Sequence, residues 1–394
     1  MIVSRGNVFG PGGRRLRGMI VAAGMAILLG ACGIPTAAPT PASPPNPESI
    51  QQAWPINGHT IWLWTVAATA LSPAPEALLL STSAGERWRN VTPPSLHVET
   101  VQRAILQVDA ISRTQAWIVY GPLASGARRL LLTTHDGGRH WRKAGILPPD
   151  SGCTIQFLTP EVGYCLESQV TMNQGGVILF RTVDGGHHWT TPTSDAATGV
   201  ARLPLACDKR VWFTSPHTGW ALFSCVDGMS PLYVTRDGGA TWVRTRTPAP
   251  TVLGDSGSTF GPVIITGTDG AAQFLRSRLL PPIVYRTEDG GFTWTPIAVP
   301  VPPGSWPVYF VTPSTWAFMS AGVLHLTRNA GRNWSRVRTN LNFGSLTDAQ
   351  EQSGGKGPML YLDPSVRSGF LIDGDLWHTE DGGRHWHPIQ YPGE

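Results

Sequence analysis

Carboxylates, histidines, cysteines and tryptophans are the side chains through which this chain could do chemistry, and each type sets its own test. Five acids, Asp109, Glu161, Asp208, Asp269 and Asp363, stand in turn-like sequence contexts. Glycoside hydrolysis needs two carboxyls at a fixed separation, and solvated loop acids are the plainer reading of these five. His135, His140, His187, His188, His378, His385 and His387 flank short Gly-rich segments that recur along the chain. A metal would need several of them to converge, whereas copies of one repeated turn point to different places; no metal and no cofactor are expected. The paired glycines of those segments lack the Lys and helix that follow in a phosphate loop. No Ser, His and Asp set can be assigned, because such a set is defined by geometry, and no catalytic residue is expected. Trp54, Trp62, Trp64, Trp306 and Trp377 lie outside the recurring frame. They could line a sugar or peptide groove, although tryptophans so placed are more often core.

The elements that must position these residues emerge from the repeat. The segment THDGGRHW carries Asp136 and Trp141, and the frame recurs with Asp184 and Trp189, Asp237 and Trp242, and Asp289 and Trp294. Asn329 with Trp334, Asp381 with Trp386 and a more worn copy with Ser83 and Trp88 bring the total to seven. Successive tryptophans are 53, 48, 53, 52, 40 and 52 residues apart, the size of a four-stranded propeller blade. Locally the frame reads as a tight hairpin. The Asp accepts backbone amides of its own turn, the glycines supply positive φ, and the Trp opens the return strand and can wedge between neighbouring blades. Asn329 keeps the turn chemistry and Ser83 weakens it, so the first blade is expected to be the loosest.

A second hairpin precedes most frames, with an aromatic after a polar turn at Trp117, Tyr164, Trp220, Trp316 and Phe370. Two hairpins give four antiparallel strands, one blade. The fifth repeat lacks that motif and offers Val263 to Thr266 and Ala272 to Ser277 around a turn at Asp269 and Gly270. No segment has a helical period. The expectation is an all-β, seven-bladed β-propeller over residues 49–394, with residues 49–57 completing or capping the first blade and residues 385–390 supplying the last strand. Connections at 250–262 and 341–358 are the longest ornaments.

These residues carry a resemblance. The Thr-x-Asp-Gly-Gly-x-x-Trp turn resembles the Asp-box (BNR-repeat) propellers, and its pairing with a Gly-Trp-Ala hairpin is most similar to the photosystem II assembly and stability factor-like propellers. The resemblance implies a non-catalytic platform that holds another protein; a photosystem partner is not carried over. Sialidases and some glucanases also display Asp boxes, so a carbohydrate-active enzyme, or a lectin binding carbohydrate, is the second reading. The boxes are structural and do not favour catalysis, and the Arg-Ile-Pro stretch that carries the first substrate-clamping Arg of sialidases is absent from the sequence.

The five cysteines divide by context. Residues 1–31 combine Arg5, Arg14, Arg15 and Arg17 with an apolar run from Met19 to Leu29, too short for a comfortable span. The run ends in Leu29, Gly30, Ala31 and Cys32, which resembles the lipobox of bacterial lipoproteins. That likeness implies cleavage before Cys32, acylation of its thiol and amino group, and an anchor at the extracytoplasmic face of the cell envelope. Residues 32–48, rich in Pro, Ala, Ser and Thr, read as a disordered tether. Cys153, Cys165, Cys207 and Cys225 remain, an even number that in an exported chain suggests disulfides. Three pairings exist; Cys153 with Cys165 and Cys207 with Cys225 are favoured because each pair brackets a strand, a turn and a strand, against four buried thiols as the alternative. Of 30 basic residues four precede Cys32 and no acid does, which leaves 26 basic against 26 acidic in the rest of the chain. A neutral chain lacks the basic surplus of nonspecific nucleic-acid binding, and no nucleic-acid partner is expected. Replacing Cys32 by Ser is expected to move the protein from the membrane pellet to the soluble fraction on cell fractionation; retention in the pellet would reject the lipid anchor.

Overall fold

A computed structural model describes residues 48–67, 76–94, 103–122, 128–148, 153–169, 176–192, 208–224, 232–246, 259–260, 264–275, 282–302, 307–341 and 359–392. Cys32, residues 33–47, Cys207, Cys225, Trp306 and most of the 250–262 and 341–358 connections lie outside them. The elements of the described residues are twenty-eight β-strands. They form seven antiparallel sheets that follow one another along the chain, a seven-bladed propeller: residues 48–90, 103–146, 154–190, 208–244, 259–297, 309–338 and 359–389 are blades 1 to 7.

Most blades follow the expected pattern of two hairpins. Residues 49–57 contribute Glu48–Pro55, which pairs with Ile61–Ala67 and completes blade 1 rather than capping it. The last strand is His387–Ile389, at the outer edge of blade 7. Two blades depart from four strands. In blade 3 the strand after the box is reduced to a bridge between Arg181 and Thr190, because Pro192 follows at once and cannot donate to a ladder. In blade 5 two short strands, Thr259–Phe260 and Ile264–Thr266, both pair with Asp269–Leu275.

Sheets of this size cannot bury both faces alone, and the core is accordingly distributed over seven seams. Each apolar cluster draws its side chains from two consecutive blades. Trp62, Leu78 and Val91 of blade 1 meet Ile105, Val108 and Ile118 of blade 2. Trp117 and Leu131 of blade 2 meet Ile155 and Phe157 of blade 3. The series runs on through the other seams and ends where Ile61, Leu63 and Leu79 of blade 1 meet Phe370, Leu376 and Ile389 of blade 7. Among the described residues all seven sheets consist of strands consecutive in sequence, and no strand of one end is lent to the other. The ring closes by side-chain packing and by hydrogen bonds from Trp88 Nε1 to Gln390 O, Tyr361 OH to Ile56 O and Ser368 Oγ to Gly58 O, at 3.0, 3.3 and 2.7 Å.

The aromatic residues of the two hairpins meet across the seams from opposite sides. Each box Trp packs back into the seam with the preceding blade, from Trp141 against blade 1 to Trp88 against blade 7. Most aromatics of the second strand reach forward: Trp117 stacks on Phe157 and Tyr164 on Phe213, with ring centroids 3.7 and 3.5 Å apart, whereas Trp316 packs in the seam with blade 5. Trp62 belongs to this forward series. It is fully buried and donates Nε1 to Ser112 O of blade 2, so it is core and lines no groove. Trp54, Trp64 and Trp377 are partly buried against the same kind of seam. Replacing Trp294, which is 2% exposed and packs on Trp220 of blade 4, by Ala is expected to cost about 3–5 kcal/mol in equilibrium denaturation. A cost under about 1 kcal/mol would contradict the seam packing.

Candidate functional site

The box turn is built upward from two side chains. Thr182 Oγ1 accepts the amides of Asp184 and Gly186 and donates to Asp184 Oδ1, and that same Oδ1 accepts the amide of His188 at 2.9 Å. The outer oxygen, Oδ2, meets His188 Nδ1 at 2.7 Å. Thr134 with Asp136, Thr235 with Asp237, Thr287 with Asp289 and Thr379 with Asp381 repeat the arrangement. His140, Thr241, Thr293 and His385 stand where His188 does. Asn329 accepts the Asn333 amide, and Ser81 and Ser83 reproduce the amide contacts with hydroxyls alone. The Thr two residues before the Asp is therefore as much a part of the turn as the Asp itself, a role visible in the sequence only as the constancy of its place. At the tip, Gly138 has φ 77°, and a Cβ there would stand 2.5 Å from Val91 Cβ of blade 1. Left-handed backbone and close approach to the preceding blade both demand glycine.

The box also ties the two hairpins of its blade together. The amides of Ala84, Gly137, Gly185, Gly238, Gly290, Ala330 and Gly382 donate to carbonyls of His59, Thr114, Glu161, His217, Thr268, Ser314 and Arg367 in the turn of the first hairpin. Both turns of every blade thus lie at one rim, and their polar groups are bonded to each other.

A second set of polar residues works between blades. Gln107 donates Nε2 to Cys153 O and accepts Ile155 N; Gln156 spans Phe213 in the same two-sided way, and Gln273 spans Val308. Glu76 accepts Ile105 N and Asp109 accepts Phe157 N, each from the next blade. The glutamines and the glutamate carry no mark in the sequence, since a polar residue in a strand does not show which backbone it will meet. Asp109 was expected in a solvated turn and instead lies in the strand Arg103–Ala110. Burial pushes its carboxyl up to about 7 against the opposing hydrogen bond from Phe157.

The remaining acids are dispersed. Glu161 and Asp363 do sit in turns, where Glu161 accepts the Thr159 hydroxyl and Asp363 accepts the amides of Arg367 and Ser368. Asp269 opens the strand Asp269–Leu275 and is exposed, and Asp208 opens Asp208–Phe213. Asp373 accepts Trp377 Nε1, and burial raises it to about 6. The box acids move the other way. Slight burial opposes ionisation of Asp184, Asp289 and Asp381, but hydrogen bonds from the residue four places on and from the Thr outweigh it and hold all three at about 2. Hydrogen bonds from the His140 amide and ring draw Asp136 down as well.

Cys153 and Cys165 are joined by a disulfide with Cα atoms 5.4 Å apart, linking the inner and second strands of blade 3. Of the histidines, His140, His188 and His385 pair with the Asp of their own box. Only one group of three or more donors converges among the described residues: His59 of blade 1 with His378 and Glu380 of blade 7.

No family model and no curated protein matches the chain. Solved structures do. The structure described as YCF48 bound to D1 peptide is 15% identical, with 88% of this chain and 95% of that chain covered and a TM-score of 0.48. A prolyl endopeptidase is 10% identical, with 87% and 50% covered and a TM-score of 0.56. An ancestral GH74 enzyme is 12% identical, with 88% and 47% covered and a TM-score of 0.52. The chain spans about half the length of the latter two proteins. At these identities the likeness is one of fold alone.

The opposite pKa shifts fix opposite pH dependences. The box acids, held below the ordinary Asp value, contribute stability that is complete above about pH 4 and lost as pH falls toward 2. Asp109, raised, contributes stability that is complete below about pH 4 and lost as pH rises through about 7. Asp109→Asn keeps an oxygen for the Phe157 amide and removes the charge. Its denaturation midpoint, compared with the parent's, is expected to be more favourable at pH 8 than at pH 4; a difference independent of pH would show that Asp109 does not titrate as assigned.

Proposed function

We propose that this chain is a non-catalytic binding propeller, anchored through Cys32 at the extracytoplasmic face of a membrane, whose partner is another protein. The observation that carries the reading is the commitment of the box carboxylates. Each described box Asp gives both oxygens to its own turn, and the shifted acids of this set are held ionised. A general acid must carry a proton near working pH, which these groups do not. Asp109 does have a raised pKa, but its carboxyl is bonded to the next blade. The repeated polar residues thus serve the ring, and what they build is a stiff platform on a tether of extended composition. The resemblance of the Gly-Trp-Ala hairpin and the Asp box to assembly-factor propellers supports a protein as the cargo.

The second reading, a glycoside hydrolase, draws on Asp109, since a raised carboxyl is what a glycosidase acid requires. Affinity capture of the tagged chain from its own detergent-solubilised membranes, with fluorogenic glycosides assayed on the same material, separates the two. The platform reading expects a reproducible membrane-protein partner, retained by Asp109→Asn, and no turnover. Glycoside turnover abolished by Asp109→Asn, with the fold intact, would replace it with the hydrolase.

A further inference from the structure

We propose that His59, His378 and Glu380 form a divalent-metal site of the zinc class that clips blade 7 to blade 1 at the closure of the ring. One donor atom from each residue lies within 4.8 Å of the other two. His59 is in the turn that joins the first two strands of blade 1; His378 is in the strand Leu376–Thr379 of blade 7 and Glu380 follows it directly. Two imidazoles and a carboxylate are a donor set zinc accepts, with a fourth position left to water. Ligands around a tetrahedral zinc stand about 3.4 Å apart, so the set must contract. The two residues that must move, His59 and Glu380, are exposed at side-chain ends.

The buried member has one ring nitrogen already anchored. His378 is 7% exposed, and its Nε2 lies 2.8 Å from Gly58 O and 3.1 Å from Ser368 Oγ. A carbonyl can only accept, so this contact places the proton on Nε2 and leaves Nδ1 as the lone-pair nitrogen. Ligating histidines are commonly held this way, one nitrogen anchored on a backbone carbonyl and the other directed to the metal. The carbonyl belongs to Gly58, the residue beside His59, so one contact orients His378 and brings the blade 1 turn to it. Arg367, the nearby cation, bonds through Nε to the backbone oxygen of Glu380. Two of the three donors, His378 and Glu380, line a groove of about 790 Å³ together with His385 and His387, which gives an ion a path in from solvent.

The repeat explains why, among the described residues, such a cluster stands at only one of the seven seams. Within the repeat, each copy of a turn faces its own seam, and the box histidines stay with their own box. His59 is not a box residue. It meets His378 because the chain's first and last blades are neighbours in the ring. A metal here would cross-link segments about 320 residues apart in sequence, the contact most in need of reinforcement in a ring closed without a shared strand. A ligand that binds the closed ring and not the open chain stabilises it by mass action.

Isothermal titration of zinc into the chelator-stripped full-length protein, with thermal unfolding followed in parallel, tests the site. The parent is expected to bind one zinc of micromolar or tighter affinity and to gain several degrees in midpoint. His59→Ala and Glu380→Gln, both exposed and safe for the fold, are expected to weaken that binding by at least tenfold and to abolish the gain, whereas His188→Ala changes neither. Equal affinity in the parent and both variants, or a midpoint that zinc leaves unmoved, would overturn the proposal.

Discussion

Burial between neighbouring blades is the interaction on which the rest of this structure depends. A four-stranded sheet with apolar residues on both faces is not stable in water by itself, and each blade here completes its core only against the next. That requirement explains the repeated hairpins. The second glycine of the box turn presents no side chain, so in most blades the preceding blade can approach; the Trp then drops into the seam, and the Thr and Asp supply the hydrogen bonds that keep the turn in a conformation few sequences adopt. The forward-reaching aromatics and the glutamines that grip the next blade's backbone are the same solution from the other side.

Much of this was legible in the sequence because it recurs. Seven copies of a Gly and Trp at blade spacing fix the number of blades, and positive φ at Gly138 or Gly186 is what the Gly pairs require. What recurs less was read less well. Gln107 and Asp109 share the strand Arg103–Ala110, Gln156 and Gln273 stand in others, and a polar residue in a strand says nothing about which neighbour's backbone it will meet. Trp62 lies outside the box frame, so its sequence leaves groove and core both open; its place in the second strand puts it in the same buried series as Trp117 and Trp220.

Contacts between the chain's two ends were the least legible of all. His59 and Trp88 carry no mark that they will meet His378 and Gln390, because only closure of the ring brings them together. The candidate sites divide along the same line. The box acids, visible from the outset, are structural and held ionised, whereas the convergent donors lie at the closing seam, where the repeat has no predictive force. Function is therefore to be sought in what departs from the repeat.

The central claim, that seven mutually dependent seams make one cooperative ring, is tested most directly by amide hydrogen exchange on a variant cut at a single seam. Phe370→Ala removes a fully buried ring from the cluster that blades 7 and 1 share. The account predicts that protection falls on both sides of that seam, in Ile61–Ala67 and Glu76–Ser81 of blade 1 as well as in blade 7, with lesser loss passing to blades 2 and 6. Loss confined to Gly369–Ile372 and its own sheet, with blade 1 unchanged, would mean that the blades are autonomous and would contradict it.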